Sequence, residues 1–223
     1  MLLAAIVYSL PMAVGVALSP LPIAAVVTIL LSARPNNAPA FLLGWIIGIL
    51  CIGGIVFLIP GLDTARGEPT ALSGWIRLAL GGVLLVLAVW QWRQRPSADD
   101  PVEAPKVLSK LDSISAGRTV IMGFLLSSFN PKNLVLTFAG AAAIDASMAT
   151  PSQQAIALAL YAVVASLSVG IPIMGYVLFT ERARTVLADW KDWLIRNNAS
   201  VVAVLLMVFG ALIIGNGLII LSA

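Results

Sequence analysis

The chain has 223 residues, 60% of them hydrophobic and only 10% charged, with 13 lysines and arginines, 10 acids and no histidine. A soluble domain carries roughly 25% charged residues, and the mean hydropathy here is +1.02, which excludes a water-facing globule. Without histidine the commonest metal ligand and pH switch is missing, and the single Cys51 rules out an internal disulfide or Cys-x-x-Cys pair.

Uninterrupted apolar stretches predict six membrane helices, over 3–32, 41–60, 73–92, 116–146, 155–179 and 200–221. The first begins without the basic segment of a signal peptide and runs far beyond an h-region, so it is expected to be retained as a span. At about 30 residues it would reach roughly 45 Å if straight, but Pro20 and Pro22 fall inside it. Proline removes a backbone donor and pushes its predecessor out of the helical region. A broken helix is expected here, with freed carbonyls that only protein or water can satisfy.

The second and third spans are joined by a loop from Pro60-Gly61 to Pro69. The third is followed by the longest polar stretch, 93–117, read as a cytoplasmic linker. It divides the chain into a first transmembrane repeat, 1–92, and a second, 118–223. The fourth span repeats the first: it is long, and Pro131 interrupts it. A shift of 108 positions lays Gly15, Ser19 and Pro20 over Gly123, Ser127 and Ser128, with Pro131 close behind. Gly15 and Gly123 are candidate hinges. Three spans per repeat oblige the halves to be inverted, and inverted repeats with discontinuous helices point to a transporter with a midplane site. Thr150-Pro151-Ser152 caps the fifth span. The segment 181–198 reads as an amphipathic connector carrying Trp190 and Trp193 at headgroup depth.

Ten lysines and arginines fall on the side of loops one-two, three-four and five-six, against Arg66 and Arg77 on the other. The positive-inside rule then places both termini outside and the linker in the cytoplasm of a bacterial inner membrane.

Lys132 is the sharpest single residue. An ammonium near the bilayer centre costs roughly 2.5 to 3.5 kcal/mol on insertion scales and is functional unless it snorkels. At a half-helix N-terminus beside Asn130 and Pro131 it would suit an anion such as carboxylate, sulfate or phosphate. A re-entrant loop whose lysine reaches the interface is the alternative, and Ser19 and Asn130 are either ligand groups or caps for the broken backbone. Ser19, Pro20, Pro22, Ser127, Asn130, Pro131 and Lys132 form the candidate translocation site. No aspartate or glutamate lies between the membrane boundaries, since Asp63 and Asp145 sit at helix ends. This disfavours proton relays and divalent-cation sites. Neither metal nor cofactor is expected, and no nucleophile-base pair or phosphate loop suggests an enzyme.

With Ser19-Pro20-Leu21-Pro22 in span one and Asn130-Pro131-Lys132-Asn133 in span four, the chain resembles the lysine-exporter superfamily. Within it the chain is most similar to the glycopeptidolipid-addressing group, which includes the sulfolipid-addressing protein and is linked to export of complex glycolipids to mycobacterial-type envelopes. The Gly-Pro-Gly-Pro element of amino-acid exporters is absent, as are the cysteine pair of the thiol branch and the histidine-rich loop of the nickel and cobalt branch. The resemblance implies Pro20, Pro22, Asn130, Pro131 and Lys132 as the core of the site and a lipid or glycolipid as cargo. A larger lipid exporter, lipid-synthesis enzymes and a second copy of the chain are candidate partners, and basic residues gathered mostly in loops point to no nucleic acid. A small-solute exporter of amino-acid type and a membrane scaffold recruiting a lipid-export complex stay open as alternatives.

Overall fold

The computed structural model describes residues 1–58, 71–95 and 114–222, except the side chains of 72, 73 and 180–184. The loop with Asp63 and Arg66 and most of the expected linker, 96–113, lie outside the described residues. Every described regular element is helical: α1 Leu2–Ala17, α2 Pro20–Leu31, a 3-10 turn at Pro35–Asn37, α3 Ala38–Val56, α4 Ala71–Arg93, α5 Ala116–Ser128, α6 Pro131–Asp145, α7 Pro151–Leu178 and α8 Thr180–Ser222.

Four of these helices, α3, α4, α7 and α8, are each long and apolar enough to cross a membrane, and α1 with α2, bent by 56° at their break, is a fifth candidate when the pair is taken as one span. The chain is a multi-pass membrane protein. The α5–α6 pair, expected as a span over 116–146, is not among those crossings; Asn130, Pro131, Lys132 and Asn133 make its junction polar.

The breaks fall where proline chemistry puts them. Ser19 is the N-cap of α2 with Pro20 at its first position, and Asn130 is the N-cap of α6 with Pro131 at its first. The two breaks are therefore related by 111 residues, not by the 108 that matching glycines and serines suggests. At the observed spacing Gly15 stands opposite Leu126, and Ser127 opposite Val16, so the glycine correspondence does not hold at the breaks.

Thr150 caps α7 as expected, in a reciprocal capping box with Gln153. The C-terminal region differs from expectation: the connector over 181–198 and the span over 200–221 are one 43-residue helix. No proline or glycine occurs between Thr180 and Gly210 to interrupt it, and at 1.5 Å per residue it extends about 65 Å.

In packing, α4 lies along α8, α3 lies against α5, α1 lies against both α6 and α7, and α2 lies against α8. Glycines permit the closest of these approaches. A Cβ on Gly81 would sit 2.8 Å from the carbonyl oxygen of Gly210, so α4 and α8 meet backbone to backbone. A Cβ on Gly123 would collide with the carbonyl of Phe41, which fixes α5 on α3. A Cβ on Gly15 would run into Phe209 and Leu136; both proposed hinge glycines stand at tight contacts.

Candidate functional site

The four half-helices α1, α2, α5 and α6 are 12 to 16 residues long, about 18 to 24 Å each, too short to cross a core of about 30 Å alone. Their broken ends therefore fall inside the bundle, and each must satisfy the carbonyls its proline orphans. Pro20 has no N–H to give Val16, and Pro22 none to give Leu18. Ser19 N–H donates to Ala17 O instead of Gly15 O. Three carbonyls of α1 and its cap thus lack ordinary helical donors.

Side chains replace them. Lys132 Nζ donates to Gly15 O at 2.6 Å and to Leu18 O at 3.2 Å. Ser19 Oγ lies 2.7 Å from Val16 O and 2.8 Å from Asn133 Oδ1, and its single proton serves one of them at a time. Asn133 in turn donates from Nδ2 to Leu126 O at 3.3 Å, a carbonyl near the end of α5. Asn130 Oδ1 accepts from the backbone N–H of Lys132 at 3.1 Å, the usual N-cap geometry.

The outcome is one junction in which the second broken helix caps the first. Lys132, only 2% exposed, puts its positive charge on the C-terminal end of α1, where the helix dipole favours it. Its ammonium faces main-chain carbonyls and does not run out to the membrane interface. Ser19 and Asn130 both act as caps for broken backbone. Ser127, also buried, donates to Phe124 O within its own helix. Pro20 and Pro22 are buried on α2. Asn133 is fully buried and joins both breaks, a role that the sequence motif alone does not assign. Its signal was available, since an amide inside a span needs partners as much as a lysine does.

Two cavities flank the junction. The first, about 330 Å³, lies between α1, α4, α6 and α8. Tyr8 and Met12 of α1 face Phe138, Ala139, Ala142 and Ala143 of α6, and Arg77 of α4 and Asn216 of α8 add polar groups. Met12 stands three residues before Gly15, and Phe138 six after Lys132, so the floor is one to two turns from the junction. The second cavity, about 630 Å³, lies between Ile23 of α2, Ile171 and Pro172 of α7, and Trp190, Trp193 and Leu194 of α8. Its walls are apolar except at Ser168 and Asp189. Trp193 is 57% exposed and Ile171 58%, so this groove opens to the side of the bundle.

Among the described residues no three histidine, cysteine, aspartate or glutamate side chains converge as metal ligands. Cys51 is a free, exposed thiol on α3.

Residues 10–219 match the sequence model of the family described as Sap, sulfolipid-1-addressing protein. No curated protein matches the chain, and no solved structure matches it.

Proposed function

The chain belongs to the sulfolipid-1-addressing protein family, and from that membership we propose that it is a non-catalytic membrane transporter, or transport accessory protein, that helps move a complex lipid or glycolipid outward across the bacterial cytoplasmic membrane. The observation that carries a transport role is the junction itself. Two broken helices from opposite halves of the chain hold each other's ends through Lys132, Asn133 and Ser19. A junction made of replaceable hydrogen bonds, not of continuous helix, can rearrange without unfolding either helix pair.

The remaining features of the reading follow the same frame. The α5–α6 pair is a sixth span, the two halves are inverted three-helix repeats, and the architecture is that of the lysine-exporter superfamily. Packing supports this: α1 lies on α7 as α3 lies on α5, and α4 and α8, the last helix of each half, lie along each other. Both termini face outward and the linker faces the cytoplasm. Ser19, Pro20, Pro22, Ser127, Asn130, Pro131 and Lys132 line the translocation route when the junction opens, and Lys132 then meets the anionic part of the cargo. The side groove beside Trp190 and Trp193 suits an acyl chain. A larger exporter and lipid-synthesis enzymes are the expected company.

Mass spectrometry of envelope lipids from intact and deletion strains, with inner and surface pools separated, tests the proposal. Accumulation of a lipid in the inner pool on deletion is the expected result. An unchanged distribution would transfer the assignment to a small solute.

A further inference from the structure

The smaller cavity contains a charged group that the junction does not use. Arg77 is half-buried within α4, itself a membrane-crossing helix, and it lines the cavity. No ion pair to Arg77 occurs among the described residues. A half-buried guanidinium that lines a cavity seeks an oxyanion partner.

Depth sharpens the case. Arg77 lies six residues into α4 from Ala71, Tyr8 six residues into α1 from Leu2, and Asn216 six residues before the end of α8 at Ser222. Each sits about 9 Å from an end of its own helix, and all three line the one cavity. They offer one guanidinium, one phenol and one amide, all hydrogen-bond donors, around a single space. The rest of the lining is apolar, with small alanines at 139, 142 and 143 leaving room along α6. A hydrated inorganic ion would gain nothing from such walls. The volume, about 330 Å³, is at the lower end of ligand pockets, enough for a head group and not for a whole glycolipid.

We infer that the cavity between α1, α4, α6 and α8 binds the anionic head group of a lipid, a sulfate or phosphate ester, through Arg77, with Asn216 and Tyr8 as supporting donors and the acyl chains left in the bilayer. The class of ligand rests on the reading of the chain as a lipid-transport protein, while the site rests on geometry alone.

The test is native mass spectrometry of the full chain released from nanodiscs containing phosphatidylglycerol or a sulfated galactolipid, each against phosphatidylcholine. Wild type should retain either anionic lipid over phosphatidylcholine by about tenfold or more, as expected of a charge-assisted contact. Arg77→Gln should reduce retention to the phosphatidylcholine level and Arg77→Lys should restore part of it. Ala142→Phe, which fills the cavity and leaves Arg77 in place, should abolish retention independently. Undiminished retention in both Arg77→Gln and Ala142→Phe would overturn the site. Displacement of the lipid by millimolar free sulfate or phosphate would overturn the lipid as occupant. Retention is read without translocation, so Arg77-dependent retention in a protein that moves no lipid would count against the transport reading and leave this site standing.

Discussion

The two distal half-helices, α2 and α6, leave the same junction by the same proline chemistry and meet opposite fates. Helix α2 is buried against α8 along nearly its whole length, with Ala24, Ala25, Val26, Val27, Ile29 and Leu30 at most 1% exposed. Helix α6 holds its corresponding neighbour, α4, only weakly, and the space between them is the Arg77 cavity. If the halves are inverted copies, these are the two ends of one route, one closely packed along α2 and open only sideways at the Ile23 groove, the other holding a polar-lined cavity. The difference lies in packing and not in the junction, which both helices share.

The junction should give the largest effect. Lys132→Met strands the carbonyls of Gly15 and Leu18 in a dry interior, at about 1 to 3 kcal/mol for each unsatisfied group. Detergent-solubilised protein should therefore lose about 2 to 6 kcal/mol against unfolding. A variant as stable as the parent would mean that the ammonium is not holding α1.

The two ends can be separated with one type of substitution. Ala25→Leu overpacks the buried surface of α2 and should cost about 1 to 3 kcal/mol, whereas Ala142→Leu enters the cavity and should change stability by about 0.5 kcal/mol or less. Equal losses in the same unfolding assay would erase the distinction. Smaller again is Ser19→Ala, which removes a hydroxyl that alternates between Val16 O and Asn133 Oδ1. It should cost about 1 kcal/mol, and hydrogen exchange should show faster opening at residues 16–19 if the hydroxyl seals the break. Cys51→Ser, on an exposed thiol, should stay within about 0.5 kcal/mol and so provides a cysteine-free background.

Much of this was legible because proline and membrane act through local rules. Pro20, Pro22 and Pro131 each remove a donor that lipid cannot replace, so the breaks and the need for caps at Ser19 and Asn130 could be read from sequence. What fills the vacancy could not. Lys132 reaches Leu18 across 114 positions of chain, and no local pattern distinguishes a lysine that binds cargo from one that caps a distant helix. Matching small residues sets the repeat register three residues away from that of the breaks, because the constraint at a break belongs to the proline and the cap before it. The C-terminal helix was divided at Asn197 and Asn198, yet amides are tolerated in a helix where glycine and proline are not, and Asn197 Nδ2 simply donates to Trp193 O. Arg77 was used only to set orientation, since a cation near a helix end usually reaches for the interface; the cavity beside it is a product of three other helices.

The most direct test is whether α2 and α8 must move apart. In a Cys51→Ser background, Ile23→Cys on α2 and Leu194→Cys on α8 line one cavity and can be bridged by a short reducible bismaleimide. Transbilayer movement of a labelled anionic glycolipid is then followed in proteoliposomes before and after reduction. The account predicts that bridged protein moves no lipid and that reduction restores movement; lipid movement at the unbridged rate with the seam locked would contradict it.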